Sequence, residues 1–71
     1  MIDISTLTES DRGREVRYRC PNVVELGHIK AWNSRFIFVR YHTRIENGVA
    51  SARIGHTNEA TDPQDLDWSD A

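Results

Sequence analysis

The apolar residues of this chain recur with a period of two rather than three or four. "REVRYRC" sets Val16, Tyr18 and Cys20 against Glu15, Arg17 and Arg19, the alternation of a half-buried strand, and predicts a first strand over Arg14–Cys20. Pro21 and Asn22 break it. "VVELGHIKAW" resumes extended chain over 23–32. Gly27 in its middle predicts a bulge, a sharp bend or a close backbone approach. "NSR" then turns the chain into "FIFVRYHTRI", a strand with Ile37, Val39 and Tyr41 on one face and Phe36 and Phe38 on the other. Large side chains on both faces suggest a strand wrapped inside a curled sheet, with both phenylalanine rings turned away from solvent.

Local signals set the remaining boundaries. Thr8 and Asp11 have the spacing of a reciprocal cap around "ESD", and Gly13 lets the chain leave in a left-handed conformation. Asn47-Gly48 supplies the positive φ pair of a tight hairpin, so "VASARIGHT" over 49–57 returns as a weaker strand. Asp62 followed by Pro63 reads as an N-cap and first helical residue, one 3₁₀ turn before a last strand with Leu66 and Trp68. The expectation is an all-β domain, a small five-stranded SH3-like or Tudor-like partly open barrel, with a five-stranded OB-type barrel as runner-up. Residues 1–12 form its N-terminal turn, 43–59 an extended hairpin and 69–71 a frayed tail.

A chain of 71 residues makes one small domain, burying only about 60% of the surface its unfolded form exposes. No apolar run approaches the roughly 20 residues of a membrane span, and the polar, acidic start has no leader-like pattern. The single cysteine, Cys20, forms no internal disulfide, which fits a reducing cytoplasm.

The formal charge of −2 conceals segregation: residues 1–11 carry −3, residues 12–53 carry +6 and residues 54–71 carry −5. Arg17, Arg19, Lys30, Trp32, Arg35, Arg40, Arg44 and Arg53 are therefore the candidate partner-binding residues, because guanidinium forks and aromatic faces serve both protein hot spots and nucleic-acid backbones. Against this, arginine stems commonly just cover apolar surface, Tyr18 and Tyr41 read as core, and acidic ends folded onto a basic middle would neutralise it. The acidic tail "EATDPQDLDWSDA" offers a different contact, meeting a basic protein with Trp68 as anchor.

Catalytic and metal chemistry find little support. The three histidines, His28, His42 and His56, stand fourteen residues apart each time, whereas structural zinc sites use close ligand pairs. No nucleophile motif or phosphate loop is present. No metal, cofactor or enzymatic activity is expected.

"LTESDRGREVRYR", "GHIKAWNSRFIFVRY" and "ATDPQDLDW" together resemble small phage and prophage proteins that read D-x-G-R-x-V-x-Y-R, then G-x-I-x-x-W/V-N-x-x-F/Y-V-F-V-R-Y, then A-T-x-P-E-D-L-x-W/F. The resemblance covers about two-thirds of the chain. It implies an SH3- or Tudor-like barrel made from a phage genome in a bacterial cell, and says little about function. Where those proteins use a short loop, this chain has "HTRIENGVASARIGHTNE". A Tudor aromatic cage does not carry over, since Phe38 and Tyr41 fall on opposite faces. The function expected is a non-enzymatic interaction module that binds, and inhibits, a bacterial host protein; the alternative is a nucleic-acid-binding barrel using the basic strands.

Overall fold

A computed structural model of the chain describes residues 1–53 and 57–69. Among them are six strands: β1 Glu15–Cys20, β2 Val23–Trp32, β3 Ile37–Glu46, β4 Val49–Ala52, β5 Glu59–Thr61 and β6 Leu66–Trp68. All pairings are antiparallel. The sheet runs β4-β3-β2-β1-β6 with β5 also on β3, and it does not close. No helix of the described residues is long and apolar enough to cross a membrane.

The sixth strand corrects the expected five. The return arm of the long hairpin divides: β4 pairs with Thr43–Glu46 and β5 pairs with Ile37–Val39, both along one edge of β3. Of the strand expected over 49–57, only Val49–Ala52 is observed, and 54–56 lie outside the described residues. The local turn chemistry forms as its residues dictate. Asn47 and Gly48 take φ of 52° and 78°, the positive pair that matches strand twist. The Asp62 carboxylate accepts the Gln64 N–H at 2.9 Å, with Pro63 opening the 3₁₀ turn Pro63–Asp65. The Thr8 N–H donates to Asp11 Oδ2 at 2.9 Å in the reciprocal cap of Glu9–Asp11. A further 3₁₀ turn, Ile4–Thr6, precedes it, capped by Asp3.

One face of the sheet is covered. Ile2, Val16, Ile29, Ile37, Val39, Tyr41 and Leu66 are buried together, and Ile4, Leu7, Tyr18, Trp32 and Trp68 pack against them. The N-terminal segment is part of this cover. Ile2 is 2% exposed, and its N–H donates to the Pro63 carbonyl at 3.0 Å. Among the described residues no second layer covers the other face of β3. Phe36 remains 36% exposed and Phe38 half-buried, so the expectation that both rings join the core is overturned. An unclosed sheet offers β3 only one interior face, and the odd-numbered residues take it.

Two bulges bend the central pair. Pairing passes from Leu26–Thr43 to Gly27–Tyr41, leaving His42 as an extra residue on β3, and from Ile29–Val39 to Ala31–Phe38, leaving Lys30 extra on β2. Gly27 sits at the first of these. A Cβ there would lie 2.6 Å from the Arg40 carbonyl oxygen and 2.9 Å from Tyr41 Cα. Its missing side chain is what lets the two backbones meet.

The charge blocks fold onto one another. Glu9 pairs with Arg12 at 2.6 Å, Asp11 with Arg14 at 2.9 Å, Glu59 with Arg53 at 2.7 Å and Asp67 with Arg19 at 3.3 Å. Each pair joins an acidic end of the sequence to its basic middle. At the surface such pairs contribute only about 0–1 kcal/mol each, and each offsets one acidic charge of an end against one basic charge of the middle.

Candidate functional site

The eight residues singled out by sequence do not form one patch. Arg17, Arg19 and Arg40 alternate outward on β1 and β3, away from the buried Val16, Val39 and Tyr41. Arg19 is tied to Asp67, and Arg17 Nε is buried without a hydrogen-bond partner among the described residues. Lys30 is exposed at its bulge while its carbonyl accepts from Arg12 at 2.6 Å. Trp32 packs on the core under the Arg12 guanidinium, 4.9 Å from the ring centre. Arg35 lies in the turn beside the Phe36 ring, and Arg44 pairs with Glu46 at 3.5 Å. Trp68 is no free anchor either, since the Arg14 guanidinium covers its ring at 3.8 Å. The tail expected to fray from residue 69 begins on a held residue: Ser69 Oγ donates to Glu15 Oε1 at 2.9 Å. Asp70 and Ala71 lie outside the described residues.

Arg53, the last of the eight, lines a cleft of about 350 Å³ between the inner face of β1–β3 and the segment from β5 to the 3₁₀ turn. Alternation along β1 and β3 aims Tyr18 and Tyr41 into it, with ring centres 6.1 Å apart in an edge-to-face pair. Glu25 enters from β2, Glu59 from β5, Asp62 and Asp65 from the turn. With four carboxylates against one guanidinium, the lining carries a formal charge of −3.

Within this cleft Arg53 is held on three sides. Its guanidinium pairs with Glu25 and, at 2.7 Å, with Glu59, and lies 5.3 Å over the centre of the Tyr41 ring. The Glu59 hydrogen bond, the largest influence, raises its pKa further. Asp62 and Asp65 have no cationic partner among the described residues.

Both phenols stay protonated. Burial pushes the Tyr41 hydroxyl up to about 12, against the opposing effect of its 2.7 Å hydrogen bond with Thr61. The side chain of Cys20, two residues further along the same face, is the main reason Tyr18 also rises to about 12. The unfolded chain ionises its tyrosines near pH 10, so this stabilisation is present in full below pH 10 and is lost as pH rises from there towards 12. For Tyr41 the two-decade difference corresponds to roughly 2–3 kcal/mol. Thermal midpoints measured from pH 8 to 12 are expected to fall beyond pH 10, less steeply for Tyr41→Phe. A flat profile up to pH 11.5 contradicts the assignment.

No family model matches the chain, and comparison with curated proteins and with solved structures finds no match. What the cleft can do therefore rests on its own chemistry. It offers carboxylate acceptors and phenol faces, which suit a cation.

Sequence reasoning named one residue of this cleft for its charge and missed the rest. In the sequence Glu59 and Asp65 read as part of an acidic tail, Asp62 as an N-cap as well, and Tyr18 and Tyr41 as core. The tail's meeting with the two tyrosines depends on the pairing of β5 with β3, which no local pattern encodes.

Proposed function

We propose that this protein is a non-enzymatic interaction module, built as a small SH3-like partly open barrel, whose cleft binds a basic segment of a partner protein. One observation carries the reading. Arg53 already occupies part of the cleft as a guanidinium between two carboxylates and over a phenol ring, with Asp62 and Asp65 left for a second cation. A lysine or arginine side chain from a partner would meet the same acceptors. Charge-assisted hydrogen bonds of this kind are worth about 1.5–3 kcal/mol each. The resemblance to phage proteins makes a bacterial host protein the partner this reading favours, met in a reducing cytoplasm, with inhibition of that partner as one consequence of occupying its basic segment.

Calorimetric titration with short Lys/Arg-rich peptides, neutral peptides and a single-stranded oligonucleotide tests the reading. Binding is expected for the basic peptides alone. Asp65→Asn, which removes an exposed carboxylate and no ion pair among the described residues, is expected to weaken it about tenfold, corresponding to about 1.4 kcal/mol. Retention of the oligonucleotide with no affinity for basic peptides would turn the assignment over to the outward arginines of β1 and β3.

A further inference from the structure

On the opposite face of the sheet from the cleft, three side chains converge that the sequence keeps far apart. Glu15 and His28 are cross-strand partners between β1 and β2. His42 is the extra residue of the β3 bulge, and a bulge re-aims the side chain it carries. The His28 and His42 rings stack with centres 4.9 Å apart and planes inclined by 28°. His42 Nε2 lies 3.2 Å from Glu15 Oε2, and His28 Nε2 lies 3.9 Å from the same oxygen. One ligand atom from each of the three residues falls within 4.8 Å of the others.

Two imidazole nitrogens aimed at one carboxylate oxygen are only partly explained by hydrogen bonding. At 3.9 Å His28 makes no such bond. A divalent ion among the three would satisfy all of them. For Zn–N and Zn–O bonds of about 2.0–2.1 Å in a tetrahedron, ligand atoms stand about 3.3 Å apart. The separations from Glu15 Oε2, 3.2 and 3.9 Å, bracket that edge. The three side chains are 39–43% exposed, so they can adjust by rotation at little expense in packing.

The surrounding bonds orient the set. Ser69 Oγ donates to Glu15 Oε1 at 2.9 Å, which leaves Oε2 to face the histidines. His42 Nδ1 lies 2.8 Å from Thr43 Oγ1. Without a metal, His42 Nε2–H donates to Glu15 Oε2. A bound ion takes the other tautomer, with Nδ1–H donating to the Thr43 hydroxyl and the Nε2 lone pair free for the metal, the tautomer that outer-shell partners of metal-bound histidines commonly fix. Arg40 is the cross-strand neighbour of His28 in the β2–β3 register.

We infer that Glu15, His28 and His42 form a binding site for a borderline divalent transition-metal ion of the zinc class. Three protein ligands leave a fourth position open to solvent or to a donor from another molecule. The site is independent of the cleft, which faces the other way.

Zinc chloride titrated into the protein, followed by calorimetry and by the imidazole ring signals in NMR, tests the inference. One saturable equivalent in the micromolar range is expected, with the His28 and His42 signals shifting together. His28→Ala and His42→Ala are each expected to weaken binding more than tenfold. Thr43→Val is expected to weaken it about tenfold by freeing the His42 ring. Cys20→Ser, at the far end of β1, is expected to leave it unchanged. Absence of a saturable equivalent, or a His28→Ala/His42→Ala double variant that binds like the parent, overturns the site. Should an alanine variant unfold, the ring signals of the unaltered protein decide alone: both shift, or the inference fails.

Discussion

Gly27→Ala is expected to lower the thermal midpoint by about 15–20 °C. The added Cβ would stand 2.6 Å from the Arg40 carbonyl oxygen, 2.7 Å from Val39 Cγ1 and 2.9 Å from Tyr41 Cα. Two of those three neighbours are backbone atoms and cannot rotate aside. Relief requires β3 to move off β2, and that pair is the long central ladder of the sheet. Overpacking a tight interior costs about 1–3 kcal/mol, and with backbone in the way the upper figure applies. A domain of this size has roughly 4–10 kcal/mol in total, and each kcal/mol moves its midpoint by about 4–8 °C. The sign is informative, because glycine-to-alanine changes at compatible positions normally stabilise a protein through its unfolded state. Thermal unfolding followed by circular dichroism checks it; a midpoint within a few degrees of the parent would mean that the bulge can open without loss.

Truncating Leu66 has the second large effect. This side chain is 0% exposed and sits on β6, a strand of three residues joined to the rest through its pairing with β1. Leucine-to-alanine changes in packed interiors cost about 2–5 kcal/mol. Phe36→Ala removes a larger ring, but one that is 36% exposed beyond the covered face, and surface changes usually stay within about 0.5 kcal/mol. Urea titration of the two variants ranks them: Leu66→Ala far below the parent, Phe36→Ala close to it. The reverse order would put the interior on the wrong face of β3.

How much of this was legible beforehand follows from how local each feature is. Alternation along 14–20, the extended run 23–32, the Asn47-Gly48 turn and the Asp62-Pro63 start depend on neighbouring residues, and the structure shows all four, with the first strand beginning at Glu15 rather than Arg14. β5 was invisible. "EAT" is three residues long without alternation, and it becomes a strand only because β3 has an unpaired edge at Ile37–Val39. The burial of Phe36 and Phe38 was misjudged for a related reason. Alternation says which residues share a face, and only the closure of the sheet says how many faces are interior. Ile2, Ile4 and Leu7 are too few and too irregularly spaced among polar residues to give a periodic signal, although all three meet the core.

The two sites illustrate the same limit. Ligand-spacing rules detect pairs within one turn or hairpin, whereas Glu15, His28 and His42 meet across three strands and a bulge. Nothing in the intervals of thirteen and fourteen residues marks them. The cleft inverts the first impression of charge. Arg53 drew notice as a cation for a partner, yet it is already taken by Glu25 and Glu59, and it is the surplus carboxylates around it that face outward.

The most direct examination of the cleft is an amide shift map, recorded by heteronuclear NMR while a lysine-rich peptide is added. Shifts concentrated at Tyr18, Glu59, Ala60, Thr61 and Asp65 are expected, with Arg19, His28 and Arg40 unmoved. Shifts confined to those outward residues, or none at saturating peptide, would contradict a cation-binding cleft.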